Sequence, residues 1–154
     1  MPDAEPQKPS KSKIPPYLVA ALTCDVGAVD PSTGKKSLIG IFNTLFVQTF
    51  PTSRAVSLYV KVSDGEGFYP IQIQFMRSDD EQAIVEAQMD ATWHRRDQPL
   101  DFLLPMPPLP FAAPGRHEFR ILMSDMYVGR AVLEVLHRQP TPPPQQPSLP
   151  PQPD

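Results

Sequence analysis

The most regular pattern in the sequence is "SLYVKVSDGEGFYPIQIQF", residues 57–75. Apolar and polar side chains alternate in both of its halves, and the halves are separated by "DGEG". A period of two is typical of a strand with one buried and one solvated face. A short link that contains glycine is typical of a β-hairpin. We therefore expect an antiparallel strand pair that has one face in the core.

The alternation also predicts which side chains are buried. Those expected in the core are Leu58, Val60, Val62, Ile71, Ile73 and Phe75, and those expected on the other face are Tyr59, Lys61, Gln72 and Gln74. A register error of one residue would exchange the two sets.

Further strands are expected on both sides of this segment. "YLVAALTCD", from Tyr17, is a short apolar run that fits a buried strand, and "SLIGIFNTLFVQTF", from Ser37, has strand composition. "RHEFRILM", from Arg116, alternates again. The connections are too short for helical crossovers. The sequence therefore predicts an all-β fold, an antiparallel β-sandwich of about eight strands.

Two segments are less regular. Residues 79–94, "DDEQAIVEAQMDATWH", fit a helical period and a strand period alike, and we favour a strand because both neighbours are strands. "LDFLLPMPPLPF", residues 100–111, places Leu100, Phe102, Leu104 and Met106 on one face. Its prolines confine it to a sheet edge or an irregular connection.

Composition sets the domain limits. Of 22 prolines, five lie in residues 1–16 and eight in residues 139–154, so these tails are expected to be disordered around a domain at 17–138. The net charge of −3 disfavours nucleic acid as a partner. Cys24 is the single cysteine, which favours a reducing compartment, and we expect a cytoplasmic protein.

No membrane or export segment is expected. The apolar run Tyr17–Leu22 is shorter than the roughly 7–15 residues of a signal peptide. No stretch approaches the ~20 apolar residues of a membrane span.

"GAVDPSTGKKS", residues 27–37, superficially resembles a phosphate-binding loop. A Walker loop has four residues between its glycines and a hydroxyl residue directly after the lysine, whereas six separate Gly27 from Gly34 and Lys36 follows Lys35. Such a loop also needs a helix behind it, and a strand sequence follows here. The segment is expected to be a turn, with no nucleotide role for Lys35 or Lys36.

The chain resembles a family of small, uncharacterised bacterial proteins, a domain of unknown function. The resemblance is carried by "CDVGAVDPSTGKKSLIGIF", "SLYVKVSDGEGFYPIQIQF" and "PGRHEFRIL" and spans Leu18 to Val135. It implies a compact β-rich fold and no assigned activity. His117 departs from the resemblance, because an aromatic residue such as tyrosine is more typical there.

Catalytic, metal and cofactor sites are not expected. Cys24, His94 and His117 could form a Cys–His pair only if the fold assembled them, and a cysteine in an apolar strand more often acts as a small hydrophobe. The histidines lack paired metal-ligand spacing. Carboxylates in the turns, such as Asp30 and Asp64, more often bond their own backbone.

The function expected is that of a non-catalytic interaction or accessory module with an unidentified protein partner. The expected interaction surface comprises Tyr59, Lys61, Trp93, Arg95 and Arg96. The alternative is a glycan-binding module that stacks sugars on Trp93, Tyr59 and Tyr69. The proline-rich C-terminal tail could also dock on a partner.

Overall fold

The computed structural model describes residues 8–144, and all its strands lie between residues 17 and 137. This range contains eleven strands and no helix that is long and apolar enough to span a membrane. The strands are β1 (Tyr17–Val29), β2 (Lys36–Phe42), β3 (Thr44–Val47), β4 (Thr52–Arg54), β5 (Ser57–Ser63), β6 (Gly67–Arg77), β7 (Val85–Trp93), β8 (Leu100–Pro105), β9 (Leu109–Phe111), β10 (Gly115–Met123) and β11 (Met126–His137). The all-β prediction is confirmed, but the predicted number of about eight strands is too low. Two predicted runs are each divided between two sheets, as β2 and β3 and as β8 and β9, and the short strand β4 was not expected.

The strands form three sheets. One has four strands in the order β2-β1-β5-β8, one has five in the order β3-β11-β10-β6-β7, and β4 pairs with β9. All the pairs between these strands are antiparallel except β3 with β11, which is parallel. The wholly antiparallel prediction was therefore wrong at one edge. The chain leaves β2 at Asn43 and at once joins the other sheet as β3.

The predicted hairpin at residues 57–75 does not exist. β5 lies in the four-stranded sheet and β6 in the five-stranded sheet, so the link Asp64–Gly67 connects two sheets. Asp64 and Gly67 have φ angles of 59° and 80°, which let the chain turn sharply between them. Alternation shows which face of each strand is apolar, but it does not show which strand is its neighbour.

The predicted faces of the two strands are nevertheless correct. The six side chains expected in the core are at most 2% exposed, and they belong to one cluster shared by both large sheets. Tyr59, Lys61, Gln72 and Gln74 are half-buried on the opposite faces. The alternation in residues 57–75 therefore predicts correctly which side chains are buried, although it does not predict which strands pair.

The two irregular segments are also as expected. β7 is a strand, and its side chains alternate between partly buried and exposed from Val85 onward. β8 is at the edge of its sheet, and Leu100, Phe102, Leu104 and Met106 all pack in or against the core. The prolines that follow Leu104 have no backbone N–H to donate. This is tolerated because, within residues 8–144, β8 has no neighbouring strand on its outer side that would accept such a bond.

β1 is not the buried strand that its composition predicts. It is thirteen residues long, and only Thr23 and Cys24 are buried. Tyr17 is 67% exposed and Val26 is 54% exposed. The strand extends past its partner β5, whose pairing ends at Cys24, so its second half has only β2 beside it.

The N-terminal boundary also differs from the prediction of disorder through residue 16. Ser12 donates its backbone N–H to the Phe68 carbonyl at 2.7 Å, and the Tyr69 hydroxyl donates to the Ile14 carbonyl at 2.6 Å. Tyr69 is fully buried, so its hydroxyl needs a partner inside the protein. Residues 1–7 and 145–154, which carry much of both predicted tails, lie outside the described range.

His117 is used as an aromatic ring. It is 1% exposed, stacks on Phe75 with an interplanar angle of 6°, and meets Phe111 edge to face. Burial lowers the pKa of its imidazole, which keeps the ring neutral. His117 therefore contributes a flat, neutral ring to the core.

Candidate functional site

The outer face of the four-stranded sheet carries a polar network. Because Leu58, Val60 and Val62 point into the core, Tyr59 and Lys61 point away from it. The Tyr59 hydroxyl donates to the Asp101 carboxylate at 3.0 Å, and the Lys36 ammonium binds the same carboxylate at 2.8 Å.

The network shifts the pKa values of two of its members, Asp101 and Tyr59. Burial acts to raise the pKa of Asp101, but hydrogen bonds from Lys36 and Tyr59 outweigh it, so the pKa is below its ordinary value. Burial and the bond to Asp101 raise the pKa of the Tyr59 hydroxyl. Asp101 is therefore a fixed acceptor, and Tyr59 keeps its proton at neutral pH.

The β1–β2 ribbon, residues 17–42, bends onto β8. In the strand register Leu103 lies opposite Tyr59, which lies opposite Leu22, five residues before Gly27. Yet a Cβ placed on Gly27 would clash with the Leu103 side chain. The Lys36–Asp101 ion pair joins the same two regions. The sheet is thus curled, and the Leu103 side chain packs directly against the Gly27 backbone.

Six aliphatic side chains are exposed on this ribbon: Val19, Leu22, Val26, Val29, Ile39 and Ile41. Three of them are close neighbours, because Val26 and Ile39 are direct cross-strand partners and Ile41 is two residues beyond Ile39 on β2. They are 54%, 61% and 57% exposed. We call these three residues the ribbon patch. Cys24, opposite Ile41, is fully buried beside it.

β2 is also an edge strand of its sheet. An edge strand with exposed apolar side chains can pair with another chain, and proteins usually blunt such edges with charge or proline. In β2 the charge is confined to the first residue, Lys36, which is already paired with Asp101. The ribbon patch is therefore an unprotected apolar edge beside a polar network.

The Gly27–Ser37 segment contains the expected turn, which spans Asp30–Lys35 between β1 and β2. Gly34 donates its N–H to the Asp30 carbonyl and has a φ angle of 69°. The Asp30 carboxylate accepts bonds from Ser32 and Thr33, which lower its pKa. A strand, not a helix, follows Lys35. The geometry that makes a helix N-terminus bind phosphate is thus missing behind these lysines.

Cys24 is in an environment that suppresses nucleophilic chemistry. Burial and the neighbouring Asp25 carboxylate both raise the pKa of its thiol. His117 is committed to the aromatic core, where its Nδ1 lies 3.1 Å from the Gly115 carbonyl. Within residues 8–144, no group of three or more His, Cys, Asp or Glu side chains is arranged to hold a metal.

The five residues of the predicted interaction surface do not form one surface. Tyr59 and Lys61 share the outer face of β5, whereas Trp93 is 5% exposed and packs edge-on against Tyr69 in the core. Including Trp93 was wrong, because its indole fills the space over Gly65 and its N–H bonds the Gln98 carbonyl. Arg95 and Arg96 are exposed in the β7–β8 loop.

The ribbon patch was not recognised in the sequence. "SLIGIF" indicates a strand, and its apolar residues predict burial rather than exposure. One signal in the sequence is length: the segment around Cys24 that forms β1 is thirteen residues long, whereas the segment that forms its partner β5 is seven. A long strand beside a short one must leave part of its length uncovered. Pairing partners, which decide that question, are not visible in the local pattern.

Comparison with known proteins identifies a family. The model of a family of unknown function, DUF6941, matches residues 19–136, which is most of the chain. The chain belongs to the DUF6941 family. No curated protein matches it. The matched range of this DUF6941 chain runs from β1 to β11, so it contains both the ribbon patch and the core.

Proposed function

We propose that this DUF6941 protein is a non-catalytic interaction module that binds another protein through the ribbon patch. The observation that carries the proposal is the exposure of Val26, Ile39 and Ile41 together on an edge ribbon. Clustered exposed apolar side chains mark interaction sites more often than single ones do. Tyr59, Lys61 and Asp101 would form part of the polar rim that commonly surrounds such a centre.

The patch suits a small, transient interface with a different protein. Standard interfaces use about 20–30 residues on each side, and obligate homodimers are larger and more apolar. Three aliphatic side chains next to a polar network fit the centre of a weaker contact. We propose that the partner contributes an apolar segment of its own, aligned along the edge of β2.

The other parts of the functional prediction stay proposals. The raised pKa of the buried Cys24 thiol supports a non-catalytic role. A reducing, cytoplasmic location remains a prediction from the single cysteine. We infer that the two large sheets, which share one core cluster, are the layers of a β-sandwich. Bacterial origin of the family and the lack of a nucleic-acid partner remain predictions.

The glycan-binding alternative loses its support. It required Trp93 and Tyr69 as exposed stacking surfaces, and these two rings are 5% and 0% exposed. Tyr59 alone remains, with its hydroxyl already bonded to Asp101. Sugar stacking needs an open aromatic face, so we do not retain this function.

Site-specific photo-crosslinking tests the proposal. A photoreactive amino acid at position 39 should give one discrete crosslinked protein in the native cells, whereas the same group at Gln88, exposed on the other sheet, should not. Ile41→Asp should abolish the product without changing the unfolding midpoint, and Gln88→Asp should leave it intact.

Two results would contradict the proposal. Equal crosslinking from positions 39 and 88, or a product that survives Ile41→Asp, would show that the patch does not direct binding. A product made of two copies of this chain would replace a different protein partner with self-association.

A further inference from the structure

The outer face of the five-stranded sheet holds a buried carboxylate between two arginines. Glu118 is 1% exposed although it points away from the core, since its neighbours His117 and Phe119 point inward. Arg120 donates from Nε to one carboxylate oxygen at 2.5 Å, and Arg130 donates from Nη1 to the other at 3.0 Å. Ser78 adds a third bond at 3.2 Å.

The two arginines are placed directly opposite each other. In the register of β10 and β11, Arg120 is the cross-strand partner of Arg130. Like charges in such positions destabilise a sheet. Glu118 neutralises one of the two charges, which leaves a surplus of one positive charge.

The surplus charge borders an open depression of about 420 Å³. It is lined by Gln74, Glu118, Arg120, Leu122, Tyr127 and Arg130. The Arg120 and Arg130 side chains are 35% and 48% exposed, and each contributes one N–H to Glu118 in these bonds. A guanidinium has five N–H donors, so most of them are left for a ligand.

The carboxylate of Glu86 does not cancel this charge. Glu86 lies opposite Gln74 on β7 and accepts bonds from the amides of Gln72 and Gln74. It is two strands away from Arg120, roughly 10 Å by the usual strand spacing. At that separation salt largely screens the interaction between exposed charges.

We propose that this depression is a binding site for a carboxylate. Arginine forks match the planar carboxylate and bind it through two parallel hydrogen bonds. A single surplus charge matches a monoanion, and Leu122 and Tyr127 offer an apolar wall for the organic part of the ligand. Glu118 holds both guanidinium groups in place before the ligand arrives, which lowers the entropic cost of binding.

NMR titration of the full chain tests the site. We expect benzoate to give saturable shifts of the Arg120 and Arg130 Nε–Hε signals, and neutral benzamide to give none. A capped peptide with one glutamate, titrated in parallel, distinguishes the sources: tighter binding of the peptide indicates a protein-borne carboxylate, and tighter binding of benzoate indicates a small organic acid.

Variants connect the shifts to the geometry. Arg130→Gln should weaken benzoate binding at least tenfold, and Arg130→Lys, which keeps the charge but loses the fork, should weaken it several-fold. Arg95→Gln is the matched control, since Arg95 is also an arginine bound to a carboxylate, that of Asp97, and should change nothing. If Arg130→Gln fails to fold, the Arg130→Lys comparison decides.

Three outcomes would overturn the proposal. The absence of saturable shifts with any carboxylate would mean that the cluster is structural only. Binding of inorganic phosphate as tight as that of benzoate would remove the assignment to carboxylates. Equal effects of Arg130→Gln and Arg95→Gln would show that binding reflects general charge.

Discussion

The segment 57–77 and the ribbon 17–42 are both rich in apolar residues, but the fold treats them differently. In β5 and β6, the apolar side chains are buried in one core from two different sheets. In the ribbon, Val26, Ile39 and Ile41 are more than half exposed. Hydrophobicity alone therefore does not decide burial; each strand also needs a second layer to cover it.

The largest expected effect is a charge placed in the first of these regions. Val60 is fully buried, so Val60→Asp should cost about 3–5 kcal/mol or prevent folding, because the carboxylate has no partner. Lys61→Asp, one residue away on the outer face, should cost far less. Denaturant midpoints measure both, and similar losses would refute the face assignment of β5.

The same residue type can be compared in both regions. Ile73 is fully buried and Ile39 is 61% exposed. Ile73→Ala should lower the free energy of unfolding by about 2–5 kcal/mol, whereas Ile39→Ala should change it by no more than about 0.5 kcal/mol. Urea unfolding of the two variants gives the difference. A cost for Ile39→Ala near that of Ile73→Ala would mean that the ribbon patch is covered within the monomer.

Acid titration compares the ionic groups of the two sheets. Burial raises the pKa of Glu118, but its bonds to Arg120 and Arg130 outweigh this and lower it overall. A lowered pKa stabilises the fold above the unfolded-state value of about 4.3. That contribution is lost as the pH falls through the folded-state pKa.

Replacing each carboxylate by the corresponding amide should therefore show how much it contributes to the free energy of unfolding. Glu118→Gln should lower the free energy of unfolding at pH 7 by about 1–3 kcal/mol, since two opposed arginines lose their acceptor. It should also flatten the loss of stability below about pH 4. Asp101→Asn, beside the ribbon, should cost less than about 1 kcal/mol because its side chain is 36% exposed. Unfolding curves from pH 7 to pH 2 test this order, and a larger effect for Asp101 would reverse it.

The smallest effect is expected at the tip of the ribbon. Lys35 is exposed in the turn, so Lys35→Ala should change stability by less than about 0.5 kcal/mol. We also expect calorimetric titration of the unaltered protein with magnesium ATP to give no saturable heat. Micromolar binding that Lys35→Ala abolishes would show that the turn is a nucleotide site after all.

Much of the fold could be predicted because local patterns report local geometry. Alternation identified the inward faces of β5 and β6, and the Asp30–Lys35 turn follows from proline and glycine chemistry. The candidate site was predicted less well. Tyr59 and Lys61 lie beside the ribbon on the expected outer face, but Trp93 is in the core and the ribbon patch was missed.

The amino-acid sequence is enough to predict the all-β class, the inward faces of β5 and β6 and the main turn, since these depend on side-chain periodicity and on the backbone preferences of single residues. The tertiary structure alone decided that β5 and β6 belong to different sheets, that β3 runs parallel to β11, and that Glu118 meets two arginines. It also decided that the β1–β2 ribbon extends beyond β5, whose pairing with β1 ends at Cys24. The physical reason is the same in each case: strand pairing joins residues far apart in the chain, and the alternation within a strand is identical whichever partner it has.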